Sequence, residues 1–113
     1  LKLDETNFII NISEDGWFGN SIGPHQHFSH SIFRAIEEGK NIIRASNNGV
    51  SAYIDSNGKI INKLESTDRG VIEINNYKSL KKTFFSKFGN NIFFYFILFY
   101  IILIFFNFKK RER

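Results

Sequence analysis

The stretch NFIINISEDGWFGNSIGPHQHFSHSIFRAIEEG, residues 7–39, changes its apolar period halfway along, and that change decides the fold. Residues 7–12 alternate, with Phe8, Ile10 and Ile12 on one side and Ile9 and Asn11 on the other, which predicts a largely buried strand. From Phe28 onward the apolar positions recur at helical spacing through Ile32, Ala35 and Ile36. Gly23 and Pro24 suit the cap and first turn of that helix, and Gly39 suits its end. A strand, a polar loop and an amphipathic helix in this order open an α/β unit.

Working outward, the chain after Gly39 turns to short strand-like runs. NIIRAS (41–46) is apolar and of strand length, GVSAYID (49–55) alternates, and GVIEIN (70–75) alternates again with Val71 and Ile74 partly buried. GKIINKL (58–64) joins the run before it through Ser56, Asn57 and Gly58, where Asn-Gly predicts a type I′ hairpin turn. Residues 77–90 are basic and aromatic and read as a connector. The sequence shows no internal repeat and no low-complexity linker.

The last apolar run, IFFYFILFYIILIFFNF (92–108), holds no charge, Gly or Pro, and only Asn107 interrupts it. A core helix normally keeps a polar stripe; its absence predicts a transmembrane helix over 91–108. The run is about 25 Å long as a helix, against a hydrocarbon core of roughly 30 Å, so flanking aromatics and Lys side chains would sit at the interface. The tail KKRER (109–113) suggests a cytoplasmic flank, but Lys78, Lys81, Lys82 and Lys87 balance it, and charge alone does not orient the span. The net charge of +4 lies largely on these flanks and reads as membrane-surface contact; no nucleic-acid-binding motif accompanies it.

The 113 residues contain no Cys, which removes disulfides, thiolate metal sites and a Cys nucleophile from this chain. There is no Met and the chain opens at Leu1, so we expect the C-terminal piece of a longer protein, without a complete core of its own.

Several clusters invite a chemical reading. His25, His27 and His30 resemble a metal set, but no carboxylate or Cys stands at a supporting spacing, and capping, hydrogen bonding or lining a polar pocket is the better expectation. Glu14 and Asp15 could be an acid/base pair, yet adjacent acids after a strand usually form turns and caps. Ser13, Ser21, Ser29 and Ser31 lack the Gly-x-Ser-x-Gly elbow of a serine hydrolase. Arg34 with Glu37 and Glu38 predicts a helix-surface ion pair. Ser46 to Gly49 is either a simple turn or backbone held close to a ligand, with the turn favoured. Trp17 and Phe18 lie beyond a strand's carboxyl end, where open α/β folds bind ligands; an anchor packed on the nearest core accounts for them equally well.

NISEDGWFGNSIGPHQH (11–27), followed by RAIEEGKNIIRASNNGVSAYIDSNGKI (34–60), resembles the C-terminal part of bacterial apolipoprotein N-acyltransferases, membrane members of the nitrilase (carbon-nitrogen hydrolase) superfamily. Arg34-Ala35 with Glu37, and Asn47-Asn48-Gly49, match the nitrilase-like pattern. Asp15, WFG at 17–19, GP at 23–24, QH at 26–27 and TFFSKFGN at 83–90 match the acyltransferase branch. Glu14 departs from the Asn common before that Asp.

The resemblance implies an αββα sandwich whose C-terminal part occupies residues 1–76, then the connector 77–90, one span over 91–108 and a basic cytoplasmic tail over 109–113. It implies transfer of an acyl chain from a phospholipid donor, through a Cys thioester, to the N-terminal diacylglyceryl-Cys of an apolipoprotein acceptor. No cofactor, metal or nucleic acid is called for. The implied location is the bacterial inner membrane, with the nitrilase-like domain periplasmic. The family's Glu, Lys and Cys have no counterpart among these residues, so the resemblance puts catalysis upstream. It leaves Trp17, Phe18, Gly23, Pro24, His27 and Asn48 as candidate pocket wall, with the helix N-terminus near Gly23–Gln26 offering free N–H groups to a phosphate or carbonyl. Rival readings are a membrane-tethered nitrilase-type amidase and an inactive split-gene fragment.

Overall fold

A computed structural model describes residues 6–75, 78 and 80–111. The chain divides between Thr83 and Phe84 into two compact units. The first holds β1 (Phe8–Glu14), a 3-10 turn (Gly16–Phe18), α1 (Gly23–Glu38), β2 (Asn41–Asn47), β3 (Ser51–Ile54) and β4 (Ile60–Leu64). The second holds α2 (Phe84–Phe88) and α3 (Asn91–Arg111).

The four strands form one sheet in the order β1-β2-β3-β4. β1 and β2 are parallel, so the chain must travel back between them, and α1 is that crossover. The other two pairings are antiparallel. β1, β2 and β4 therefore end at the same edge of the sheet.

The register explains the core. Ile9, Asn11 and Ser13 lie beside Ile42, Arg44 and Ser46, while Ile42 and Arg44 lie beside Ile54 and Ala52. α1 covers this face: Phe28 and Ala35 are buried with Ile42, Val50, Ala52 and Ile54, and Ile9 and Ile32 pack against them. The covered face is thus apolar at the amino ends of β1 and β2 and polar toward their carboxyl ends. On the opposite face nothing among the described residues covers Ile10 (61% exposed) or Ile12 (83%). The expectation that β1 is largely buried is corrected accordingly: both its faces are apolar, but only one meets a partner layer.

Two further expectations change. The hairpin between β3 and β4 is not a type I′ turn, because Asn57 stays out of the left-handed region and only Gly58 takes a positive φ (82°). The Gly58 N–H donates to the Asp55 carbonyl at 2.9 Å, and the Asp55 carboxylate accepts from the Asn57 and Lys59 N–H groups. Asp55 closes the turn from its own side chain, which leaves a single left-handed residue for Gly58. Residues 70–75 form no strand, and Val71 is 86% exposed. Alternation alone cannot make a strand where no neighbour supplies hydrogen-bonding partners.

The helical reading of 23–39 holds, with Ile22 at the cap position and Pro24 in the first turn. Gly39 ends the helix in the left-handed region (φ 63°), and the Lys40 N–H reaches back to the Ala35 carbonyl at 3.2 Å. The chain returns to this corner later: the Leu80 N–H donates to the Gly39 carbonyl, and the Thr83 hydroxyl donates to the Glu37 carbonyl. The expected surface ion pair also forms, with Arg34 3.4 Å from Glu37 and 3.5 Å from Glu38.

In the second unit α3 has 21 residues, about 31 Å at 1.5 Å each, and its last three are the basic Lys109, Lys110 and Arg111. Asn91–Lys109 is long and apolar enough to cross a membrane. Helix continues into the basic tail through Arg111; Glu112 and Arg113 lie outside the described residues.

Gly39 carries a testable consequence. A Cβ there would force a left-handed backbone on Ala and meet Thr83 Cγ2 at 2.9 Å. Gly39→Ala should lower stability by about 1 kcal/mol or more, read as a shift in the urea midpoint of the chain in detergent micelles by circular dichroism.

Candidate functional site

The polar half of the α1-covered face is built around Arg44. Its side chain is fully buried, which is tolerable only if every donor of the guanidinium is used. Nε donates to the Val50 carbonyl (3.1 Å), Nη1 to Asn11 Oδ1 (2.8 Å) and Ser31 Oγ (3.2 Å), and Nη2 to Ser13 Oγ (3.2 Å) and Asp15 Oδ2 (2.8 Å). β1, α1, β2 and the β2–β3 loop are thereby tied to one cation.

Asp15 answers it and is itself fully buried. Its Oδ1 accepts from Ser13 Oγ (2.6 Å) and lies 2.7 Å from His27 Nδ1, while Oδ2 accepts from Arg44 and from Ser46 Oγ (2.9 Å). Burial pushes the carboxyl pKa up, but the hydrogen bonds from Ser13, His27 and Ser46 and the charge of Arg44 outweigh it and hold the pKa at about 2. The approach is so close that Gly49 has no room for a side chain; a Cβ there would lie 2.0 Å from Asp15 Oδ2.

Glu14 makes a second clamp at the same edge. Its carboxylate accepts from Asn47 Nδ2 (2.5 Å), Asn48 Nδ2 (3.3 Å) and the Gly16 N–H (2.7 Å), and the Asp15 N–H donates to the Asn47 carbonyl (2.9 Å). The hydrogen bond from Asn47, then those from Gly16 and Asn48, lower the Glu14 pKa. The Glu that replaces the usual Asn therefore has a full set of partners. Both acids are held as anions, which suits turn-building and not proton donation near neutral pH.

The candidate wall residues fall into separate places. Phe18 packs on Gly23, where a Cβ would lie 2.4 Å from its ring, and its ring sits 5.8 Å from that of His27. Pro24 and Asn48 line one open depression of about 480 Å³ at the carboxyl edge, with Asp15, Asn20, Ser66 and Thr67. Asn48 takes a positive φ (57°), so Ser46–Gly49 is more than a simple turn: it carries backbone bent around the Asp15 carboxylate. Trp17 is 84% exposed, and its indole N–H donates to the Glu14 carbonyl at 2.7 Å.

The helix N-terminus does not offer free N–H groups, contrary to expectation. The Gly23 N–H donates to Ser21 Oγ, those of His25 and Gln26 go to the Ile22 carbonyl, and Pro24 has none. Among the described residues no group of three His, Asp or Glu side chains could hold a metal; His25 lines the carboxyl-edge depression, whereas His27 and His30 line another. Sequence reasoning missed Arg44 and Asn11, and weighed Ser46 only as part of a turn. The available signal was a lone Arg inside the apolar run NIIRAS.

The buried pair yields two expectations. Arg44→Met leaves an uncompensated buried carboxylate and should cost about 3–5 kcal/mol of stability. Asp15 has a folded pKa below its ordinary value, so its contribution is complete above pH 4 and lost as pH falls from about 4 to about 2. Urea titrations at several pH values should show that acid loss in the unaltered chain and a flatter profile in Asp15→Asn.

Comparison with known proteins identifies the family of this α/β layer. The carbon-nitrogen hydrolase family model matches residues 1–75. The apolipoprotein N-acyltransferase of Wigglesworthia glossinidia brevipalpis is 42% identical over 101 residues, 89% of this chain and 20% of the relative. That of Rickettsia bellii is 44% identical over 88 residues (77% and 18%), and that of Rickettsia typhi 46% over 83 residues (73% and 17%). The chain thus spans about a fifth of the length of the curated relatives it matches. With its α/β layer matched by that family model, this chain belongs to the carbon-nitrogen hydrolase family, and it is similar to the apolipoprotein N-acyltransferases over most of its length.

Proposed function

We propose that this chain is the C-terminal, site-bordering portion of a membrane N-acyltransferase that moves an acyl chain from a phospholipid to the N-terminal diacylglyceryl-Cys of apolipoproteins. The observation that carries the reading is the joining, in one short chain, of a carbon-nitrogen hydrolase layer to a helix long and apolar enough to cross a membrane. A lipid donor is met at a membrane surface, and a hydrolase layer tethered there is placed to meet it.

In this reading the Glu, Lys and Cys of the family lie upstream of Leu1, and this chain is inactive by itself. The polar network fixes the loop 15–22 and the turn 47–50 as rigid wall at the carboxyl edge. Pro24 and Asn48 line one part of that wall, Phe18 with Gly23 and His27 another, and Trp17, held at its indole N–H, reaches outward to the acyl chains. The hydrolase layer is periplasmic in the bacterial inner membrane, and α3 delivers the basic tail to the cytoplasm, an orientation taken from the resemblance and not from the balanced flanking charges.

A chimaera tests this. The full-length Wigglesworthia glossinidia enzyme, with its matching segment replaced by this chain, should transfer acyl groups to a diacylated lipopeptide. Release of ammonia from small amides without acyl transfer would favour an amidase, and an inactive chimaera would favour a decayed fragment. In an active chimaera, Trp17→Ala should slow transfer about tenfold, the scale of a lost aromatic contact of about 1.4 kcal/mol, with the fold intact. Unchanged turnover with lipid donor removes Trp17 from the wall.

A further inference from the structure

Glu14 ends β1 with its carboxylate set between two amide side chains, one at the end of β2 and one in the turn after it. Asn47 Nδ2 donates to one oxygen at 2.5 Å, and Asn48 Nδ2 and the Gly16 N–H donate to the other at 3.3 and 2.7 Å. These hydrogen bonds, that from Asn47 first, lower the Glu14 pKa, so the group is an anion at neutral pH. An anionic carboxylate only accepts, and that settles what an amide by itself leaves open. Both Asn side chains must turn their NH2 toward Glu14 and their carbonyl away from it. Neither Oδ1 meets a hydrogen-bonding partner among the described residues.

The backbone beneath the amides is held as firmly. The Asp15 N–H donates to the Asn47 carbonyl at 2.9 Å, and Asp15 Oδ2 and Ser46 Oγ fill the space that a side chain on Gly49 would need. Between these two fixed points Asn48 takes a positive φ (57°), which no other described non-glycine residue does. Asn tolerates that region, and such a position persists where its surroundings over-determine it. Asn48 lines the depression of about 480 Å³ at the carboxyl edge, and with Asn47 it lines a second of about 520 Å³ beside residues 64–70.

We infer that Glu14 is a positioning residue that presents the side-chain carbonyl of Asn48 to these depressions as the acceptor for an N–H group of a substrate. This rests on the N-acyltransferase reading of the preceding subsection, in which the apolipoprotein brings an amine and peptide N–H groups, and a phospholipid headgroup is the other source of an N–H. The partners of Glu14 are all neutral, so its charge stays unbalanced. Donation to that charge polarises the Asn48 amide and makes Oδ1 a stronger acceptor than an amide facing water. Glu14 touches no reacting atom; bond making and breaking stay with the upstream groups.

Two measurements decide it. In the full chain in detergent micelles, nitrogen-15 NMR should show side-chain N–H protons of Asn47 and Asn48 shifted downfield and slow to exchange. Glu14→Gln sets a donor against one of the two amides and should free it. Side-chain amides that exchange in the unaltered chain as fast as in urea overturn the clamp, whatever the activity. In the active chimaera, Asn48→Gly keeps the left-handed backbone and removes Oδ1. It should raise KM for one substrate about fivefold, the scale of one neutral hydrogen bond, with kcat unchanged. Glu14→Gln should raise the same KM, and should add nothing in the Asn48→Gly background. The lipopeptide is the substrate affected if the N–H is the acceptor's, and the phospholipid if it belongs to the headgroup. An unchanged KM for both, or a Glu14→Gln effect that persists in full beside Asn48→Gly, overturns the inference. A chimaera inactive with the unaltered chain refutes the acyltransferase reading and the substrate contact with it, while the NMR measurement still decides the clamp.

Discussion

A guanidinium buried under a helix dictates most of what surrounds it. Arg44 sits in the middle of β2 on the face covered by α1, and water cannot reach it. Placing such a charge in a low-dielectric layer costs several kcal/mol unless the counter-ion and all the donors find partners. Meeting that demand requires Asn11 and Ser13 in register beside Arg44 and Ser46, Ser31 at one position on α1, and a loop that folds Asp15 back over the strand ends. The parallel register of β1 and β2 is thus fixed twice, by the apolar pairs at their amino ends and by this charge at their carboxyl ends. A slip of one residue would turn Arg44 to the other face and strand Asp15.

The rigidity of the carboxyl edge follows from the same demand. Asp15 has each oxygen shared between two donors, and its carboxylate fills the space a side chain on residue 49 would need. Glu14 binds the start of the loop to Asn47 and Asn48 from the opposite side of the chain. Loops are ordinarily the mobile part of an α/β layer, and function is placed there because a scaffold holds them. Here the hold is electrostatic, since the apolar core lies closer to the other ends of the strands.

The elements of period 2 and period 3.6 were legible because each signal was backed by local chemistry: Pro24 and Gly39 bracket α1, and the charge-free run of α3 admits no alternative to a long apolar helix. What failed did so for lack of a partner. Residues 70–75 alternate as well as any strand, but alternation describes one chain and pairing requires two. The type I′ turn failed because the Asp55 side chain competes for the same backbone N–H groups. The site was the least legible part. Asp15, His27 and Arg44 are 12 to 29 residues apart in pairs, and only the parallel crossover brings them within hydrogen-bonding distance. An Arg inside an apolar strand-length run was the available clue, and it points to a buried acid without saying which one.

Ile10 and Ile12 point the other way, to what this layer lacks. They lie on the sheet face away from α1, largely exposed, next to Ile43 and Ala45 in the register of β2. Each large apolar side chain left in water forgoes roughly 1.5–3 kcal/mol that burial would provide. An α/β layer with one covered and one bare apolar face is complete only when a second sheet packs on the bare one, as a sandwich of the carbon-nitrogen hydrolase family has it. The two faces then divide the work: the bare one bonds layer to layer through apolar contact. The covered one keeps its charges away from that junction and spends them on holding the carboxyl edge, where His27 meets solvent.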